Sequence, residues 1–162
     1  MITVEPTTDI AFIDAVMHDP SVLPGLVDDS VQDPLSISVG AVLKIIKGIF
    51  LKISEDGVGR GWVWLIDKGQ KIYEAHTALL ATLRGSRAVK AVKMCARWLF
   101  EHTDAEEIQS YAWSDAPQTL LFAKWVGLKP YRTEPYPMTR HGKEVSITWL
   151  AVSRSQFMST NT

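Results

Sequence analysis

Hydrophobic and polar positions along the chain fall into two periods. The clearest two-residue alternation runs over residues 61–67, where Trp62, Trp64 and Ile66 share one face. Residues 72–80 repeat it. One face carries Ile72, Glu74, His76, Ala78 and Leu80, and the other Tyr73, Ala75, Thr77 and Leu79. Residues 42–54 are rich in β-branched side chains, and Gly48 marks either a bulge or the true start of that strand. Asp56-Gly57 and Lys68-Gly69-Gln70 read as turns between these strands. Further strands are predicted at 2–4, 108–113, 131–136 and 144–152, the last two joined by a turn at His141-Gly142.

The helical period dominates elsewhere. Residues 87–102 place Val89, Val92, Ala96 and Leu99 on one stripe and Arg87, Lys90, Lys93, Arg97 and Glu101 opposite. Ser86 is the expected N-cap. Residues 9–17 form a shorter helix capped by Thr7 or Thr8. Residues 117–126 form a third, capped by Ser114 or Asp115, with Gly127 in the C′ position and Pro130 beyond. Apolar side chains surround that third helix, so it is expected to be largely buried. The acidic stretch 19–34, broken by Pro20, Pro24, Gly25 and Pro34, reads as a loop with one helical turn. The element order is that of an α+β fold, a mostly antiparallel sheet of six or seven strands covered by helices. A single domain over 1–152 is expected, with a polar, frayed tail over 153–162.

Composition narrows the function classes. Of 162 residues, 46% are apolar and 22% charged, and the net charge is −1, so nothing global draws the chain to nucleic acid or an anionic membrane. No apolar run is long enough to span a bilayer, and residues 1–6 do not read as a signal peptide. The one cysteine, Cys95, excludes an intrachain disulfide and a cysteine-based metal site. A cytoplasmic, reducing compartment is the expectation. The histidines His18, His102 and His141 are scattered, and no metal site is expected.

Two constellations carry candidate chemistry. Arg84, Arg87, Lys90 and Lys93 crowd a helix start with no acid among them. A helix N-terminus already bears free N–H groups and positive partial charge, so cations there cost stability unless an anion sits on it. Gly85 permits close backbone approach to such an anion. The competing reading is a solvated basic face. On the strand 72–80, Glu74 and His76 share a face and form either a base with its neighbour or a pair satisfied within the sheet. Asp28, Asp29 and Asp33 read as solvated or capping residues. Cys95 and the tryptophan pair Trp62 and Trp64 read as core.

The segment Tyr73-Glu74-Ala75-His76-Thr77 with Arg84-Gly85-Ser86-Arg87-Ala88 resembles the GNAT superfamily of N-acetyltransferases, most nearly the GNAT-like proteins of tailed phages and prophages. Trp98-Leu99-Phe100-Glu101-His102-Thr103 and the ending Val126-Gly127-Leu128 extend the likeness over most of the chain. The resemblance implies a splayed strand pair at a cleft for acetyl-CoA. Thr77, Ala78 and Leu79 would then meet the pantetheine arm, and Arg84, Gly85, Ser86, Arg87, Ala88 and Val89 the pyrophosphate. Glu74 would serve as base toward an amine on a small molecule or protein, with His76 its neighbour or substitute. A homodimer and contacts to virion proteins fall within the same implication. The departures from the pattern are specific. Arg87 and Val89 stand at small-residue positions, Ala116 at the asparagine preceding the last helix, and Ala123 at the tyrosine used as general acid. Tyr111, Tyr131 and Tyr136 are the alternatives for that acid. These losses define the rival expectation, a catalytically degenerate GNAT fold with a binding or virion-associated role.

Overall fold

In the computed structural model, which describes residues 1–160, the alternating segments pair into one seven-stranded sheet. Its strands are β1 (Ile2–Thr7), β2 (Gly48–Glu55), β3 (Val58–Asp67), β4 (Ile72–Leu79), β5 (Glu107–Trp113), β6 (Lys129–Arg140) and β7 (Lys143–Ser153). They lie in the order β1-β2-β3-β4-β5-β7-β6. Every pairing is antiparallel except β4 with β5, which is parallel. The α+β, mostly antiparallel expectation holds. The hairpin turns have the predicted chemistry. Asp56 and Gly57 (φ 52° and 79°), and His141 and Gly142 (φ 53° and 73°), are successive left-handed residues of the kind two-residue hairpins require.

The two-residue period sorts side chains to the two faces. Leu51, Ile53, Val63, Leu65, Ile108 and Leu150 point into the larger core, under α3 (Gly85–His102), α4 (Pro117–Val126) and α5 (Arg154–Thr160). Phe50, Trp62 and Ala78 point the other way, beneath α1 (Ile10–Met17) and α2 (Val39–Val42). Trp62 is buried there and donates its indole N–H to the Ile13 carbonyl at 3.1 Å. Core packing is thus the role of Trp62. At Gly61 the sheet admits no side chain, since a Cβ would stand 2.3 Å from the Ala78 carbonyl oxygen.

Several local expectations are corrected. Residues 42–47 are not strand: Val42 ends the short helix α2, and β2 begins at Gly48, the second of the two readings of that glycine. Asp9, not Thr7 or Thr8, caps α1 by accepting the Phe12 N–H at 3.1 Å. Helix α3 starts at Gly85, with Arg84 as an N-cap that offers no side-chain acceptor, so Ser86 lies inside the helix. Helix α4 has Ala116 as its N-cap, because Ser114 accepts from the Ser146 N–H and Asp115 pairs with Arg140. It is not largely buried either. Only Val126 is buried outright, while Leu121 and Trp125 are 46% and 55% exposed. Gly127 closes it in the predicted left-handed conformation, φ 117°.

The tail is ordered through Thr160, the last described residue. Phe157 is buried against Phe100, ring centroids 5.6 Å apart. The Arg154 guanidinium donates to the carbonyls of Phe100, Thr103 (3.0 Å) and Ala105 (2.9 Å). Those carbonyls lie at or just beyond the C-terminus of α3, where a cation is favoured. Of the segment expected to fray, residues 161 and 162 lie outside the described residues.

Candidate active site

The parallel pair β4 and β5 is joined over three registers only, Ile72 with Glu107, Tyr73 with Ile108 and Glu74 with Gln109. Beyond them β4 continues along β3 to Leu79, and β5 continues along β7 to Trp113. The Ser110 hydroxyl donates to the Ala75 carbonyl at 2.8 Å and closes the apex. The strands therefore splay, leaving a cleft of about 790 Å³ in the middle of the sheet. Val92, Cys95 and Ala96 of α3, with Phe122, Ala123 and Val126 of α4, wall its inner side. Burial pushes the Cys95 thiol well above its ordinary range, consistent with the core role read from its spacing. The outer side is bounded by His76, Tyr111, Trp113 and the segment Pro24-Gly25-Leu26.

Glu74 and His76 lie at the apex. The Glu74 carboxylate is 2.7 Å from His76 Nε2 through one oxygen and 3.5 Å from Lys68 Nζ through the other. The His76 hydrogen bond holds the Glu74 carboxyl below its ordinary range, outweighing the opposing effect of burial. His76 lines the cleft, whereas Glu74 stands behind it. A carboxylate accepts only, so Nε2 must carry the proton. Nδ1 is bonded by no described residue, so whenever the ring is neutral it is the basic nitrogen.

Of the three alternative tyrosines, the cleft includes Tyr111 alone. Its ring meets His76 edge to face at 5.7 Å and is held between Trp149 and Trp113 at 5.2 and 5.9 Å. No described residue bonds its hydroxyl. Burial, then the Glu74 charge, raises the phenol above its ordinary value and keeps it protonated. Tyr136 instead donates to Asp28 at 2.7 Å, and Tyr131 is 52% exposed.

The open end of the splay leads within five residues, 80–84, into α3. The helix runs back along the cleft, so its N-terminus stands at that open end. The first turn holds no acid and no side-chain cap, which leaves its N–H groups unpaired within the helix. The cation run is only partly uncompensated. Arg87 donates to both Glu55 oxygens at 2.7 Å and to the Thr82 carbonyl at 3.2 Å. Arg84 donates to the carbonyls of Leu79 (2.8 Å) and Leu83 (3.4 Å), binding the β4–α3 turn together. Lys90 and Lys93, with Ser86 and Val89, border a second, shallower hollow of about 430 Å³ on the outer face of α3. Thr77 lines the main cleft, whereas Ala78, Leu79 and Ala88 are buried in the cores and do not line it. Gly85 adopts φ 65° in open space.

Sequence reasoning missed the element that roofs the cleft. Arg140 is 5% exposed, with its guanidinium 3.8 Å above the Trp113 ring. It pairs with Asp115 and donates to the carbonyls of Pro24 (2.6 Å) and Val27 (3.3 Å). Asp29 accepts from the Thr139 hydroxyl (2.7 Å) and the His141 and Gly142 amides (both 2.9 Å), capping the β6–β7 hairpin. The capping reading of Asp28 and Asp29 was legible. Their partners, more than a hundred residues away, were not.

No family model matches the chain, and no curated protein matches it. Solved structures do. A spermidine N-acetyltransferase from Vibrio cholerae, determined with CoA and spermine, superposes with a TM-score of 0.79 at 10% identity, covering 97% of this chain and 98% of that one. An acetyltransferase assigned to the GNAT family from Chromobacterium violaceum gives 0.73 at 13% identity, covering 97% and 85%. A protein assigned as a phosphinothricin N-acetyltransferase gives 0.72 at 12%, covering 94% and 98%. At this identity the likeness is one of architecture, and the chain has the fold of the GNAT acetyltransferases.

Proposed function

We propose that this protein is an N-acetyltransferase that uses acetyl-CoA as acetyl donor and an amine as acceptor. The observation that carries this reading is the splay of β4 and β5, opening onto the acid-free, uncapped N-terminus of the 18-residue helix α3. Strand β4, unpaired on its β5 side beyond Glu74, offers backbone groups to an extended amide-bearing arm. The first turn of α3 offers N–H groups to phosphates. The side chain at the small-residue position 87 does not crowd that turn, because Glu55 draws it aside. The bound cosubstrate supplies an activated thioester.

The remaining chemistry falls to the chain. His76 Nδ1 takes a proton from the acceptor ammonium and frees the nitrogen lone pair for attack. Glu74 fixes the tautomer and stabilises the imidazolium that results. The C–N bond forms as the C–S bond breaks, Tyr111 donates its phenolic proton to the departing sulfur, and the second proton shed by the new amide nitrogen restores the Tyr111 phenol. Tyr111 thus takes the part left open by Ala123, which faces the same cleft. No feature of the described residues adds support for a virion-associated role.

The test is calorimetric. At a hundred times its dissociation constant, acetyl-CoA is expected to stabilise the fold by about 2.7 kcal/mol, several degrees in melting temperature. No shift at millimolar acetyl-CoA overturns the reading.

A further inference from the structure

The parting of β4 from β5 leaves a short row of backbone groups along β4. Leu80, just past the strand, donates its N–H to the Arg60 carbonyl of β3 at 2.9 Å. Backbone direction alternates along a strand, so the even-numbered residues of β4 address β3 and the odd-numbered ones address β5. The ladder to β5 ends at Glu74 with Gln109, and the next carbonyls on that side belong to Ala75, Thr77 and Leu79. Two of the three are taken. The Ser110 hydroxyl donates to the Ala75 carbonyl at 2.8 Å, at the apex. Arg84 donates to the Leu79 carbonyl at 2.8 Å, at the open end. Among the described residues, Thr77 is thus the position of β4 whose N–H and C=O both stay open to the splay, and it lines the cleft.

An arm entering from the α3 end carries its thioester toward the apex. In acetyl-CoA four bonds separate the last amide nitrogen of the arm from the thioester carbon, roughly 5 Å when extended. A strand advances about 3.3 Å per residue, so an amide paired at Thr77 brings the thioester level with Ala75 and His76. Tyr111 stands at that level too. It continues the register of Glu74 with Gln109, and its ring meets His76 at 5.7 Å. An open Ala75 carbonyl would offer the same amide a second register, two residues or about 6–7 Å nearer the apex. The thioester would then be pushed past His76, into the closure at Glu74 and Gln109.

We infer that Ser110 is a positioning residue whose hydroxyl blocks that second register. By occupying the Ala75 carbonyl it leaves Thr77 to take the arm, and the thioester comes to rest beside His76 and Tyr111. The inference rests on the acetyltransferase reading. Ser110 acts through Ala75, so removing its hydroxyl changes where the arm lies more than how tightly it is held. The cleft is open at this point, and water can take the carbonyl that the variant frees.

The experiment titrates acetyl-CoA, isotope-labelled at its acetyl methyl, into the wild type and into Ser110→Ala and Ser110→Thr. Calorimetry reads affinity, and NMR reads the nuclear Overhauser contact between that methyl and the Tyr111 ring. The wild type and Ser110→Thr, which keeps the hydroxyl, are expected to show the contact. Ser110→Ala is expected to bind acetyl-CoA within about threefold of the wild type and to lose most of the contact. Should Ser110→Ala not fold, Ser110→Val against Ser110→Thr makes the comparison at constant shape. An unchanged contact without the hydroxyl overturns the inference, as does a matching loss of affinity or a Ser110→Thr variant that loses the contact too. A wild type that binds acetyl-CoA with no methyl contact to Tyr111 also overturns it, and cosubstrate binding then stands. Without acetyl-CoA binding by the wild type, both readings fall together.

Discussion

At the scale of single residues, the site turns on which atom of a pair faces the cleft. Glu74 and His76 alternate onto one face of β4, which any strand reading foresees. Which of them lines the cleft depends on packing, and that residue is His76. His76→Ala is therefore expected to lower kcat by about 10²–10⁴-fold while sparing acetyl-CoA affinity. Glu74→Gln is expected to fall in the same range, because its amide can donate to Nε2 and move the ring proton to Nδ1. A pH–rate profile checks the pairing. In His76→Ala, the Glu74 carboxyl loses the hydrogen bond that depresses it, and its NMR titration midpoint should rise. A carboxyl depressed in the folded state stabilises above its ordinary range, and that contribution is lost as pH falls through its lowered folded value. Arg87 is 54% exposed at its side chain and engaged by Glu55, so Arg87→Ala should cost only about 0.2–1 kcal/mol of stability and leave acetyl-CoA affinity intact. A large loss of affinity in that variant, measured by calorimetry, overturns this placement.

At the scale of elements, periodicity was read where it was long and missed where it was short. The alternation in β3 and β4 and the stripe of α3 each extend over several repeats, and all three elements are present. The four residues of α2 are too few to show a helical period among β-branched neighbours. Helix α5 offers only Phe157 and Met158 as apolar side chains in a polar stretch, and nothing local announces that Phe157 reaches the core. Phe157→Ala is expected to destabilise the fold by about 3–5 kcal/mol, the range for a large aromatic removed from a packed site. Thermal or denaturant unfolding measures it. A loss below 1 kcal/mol would mean that α5 is not docked in solution. The caps follow the same logic. Ser114 and Asp115 are good capping residues by type, yet each is taken by a distant partner, and α4 starts from Ala116 without a side-chain cap. Competition for a polar side chain is a tertiary matter that local spacing does not encode.

At the scale of the whole molecule, the cleft has two separately built halves. The half proposed to take acetyl-CoA is the splay of β4 and β5 with the start of α3. The half proposed to take the acceptor is bounded by the α1–β2 segment, clasped onto the β6–β7 hairpin by Arg140, Asp115 and Asp29. Removing one partner of a buried ion pair leaves the other charge uncompensated, at a cost of roughly 3–5 kcal/mol when both are deeply buried. Asp115 is 31% exposed against 5% for Arg140, so solvent offsets part of that, and Asp115→Ala should cost about 2 kcal/mol. The two halves make its kinetic effect specific. Acetyl-CoA affinity should stay within about twofold, whereas KM for the acceptor should rise several-fold as the roof over Trp113 loosens. Limited proteolysis should show new cleavage between residues 19 and 36. Acid should act in the same direction. Asp29 is held below the ordinary carboxylate range by the Thr139 hydroxyl first and the hairpin amides after it, so its part of the clasp is released as pH falls through that lowered value. If Asp115→Ala weakened acetyl-CoA binding as much as acceptor binding, the two halves would be one cooperative unit and the clasp would support the entire cleft.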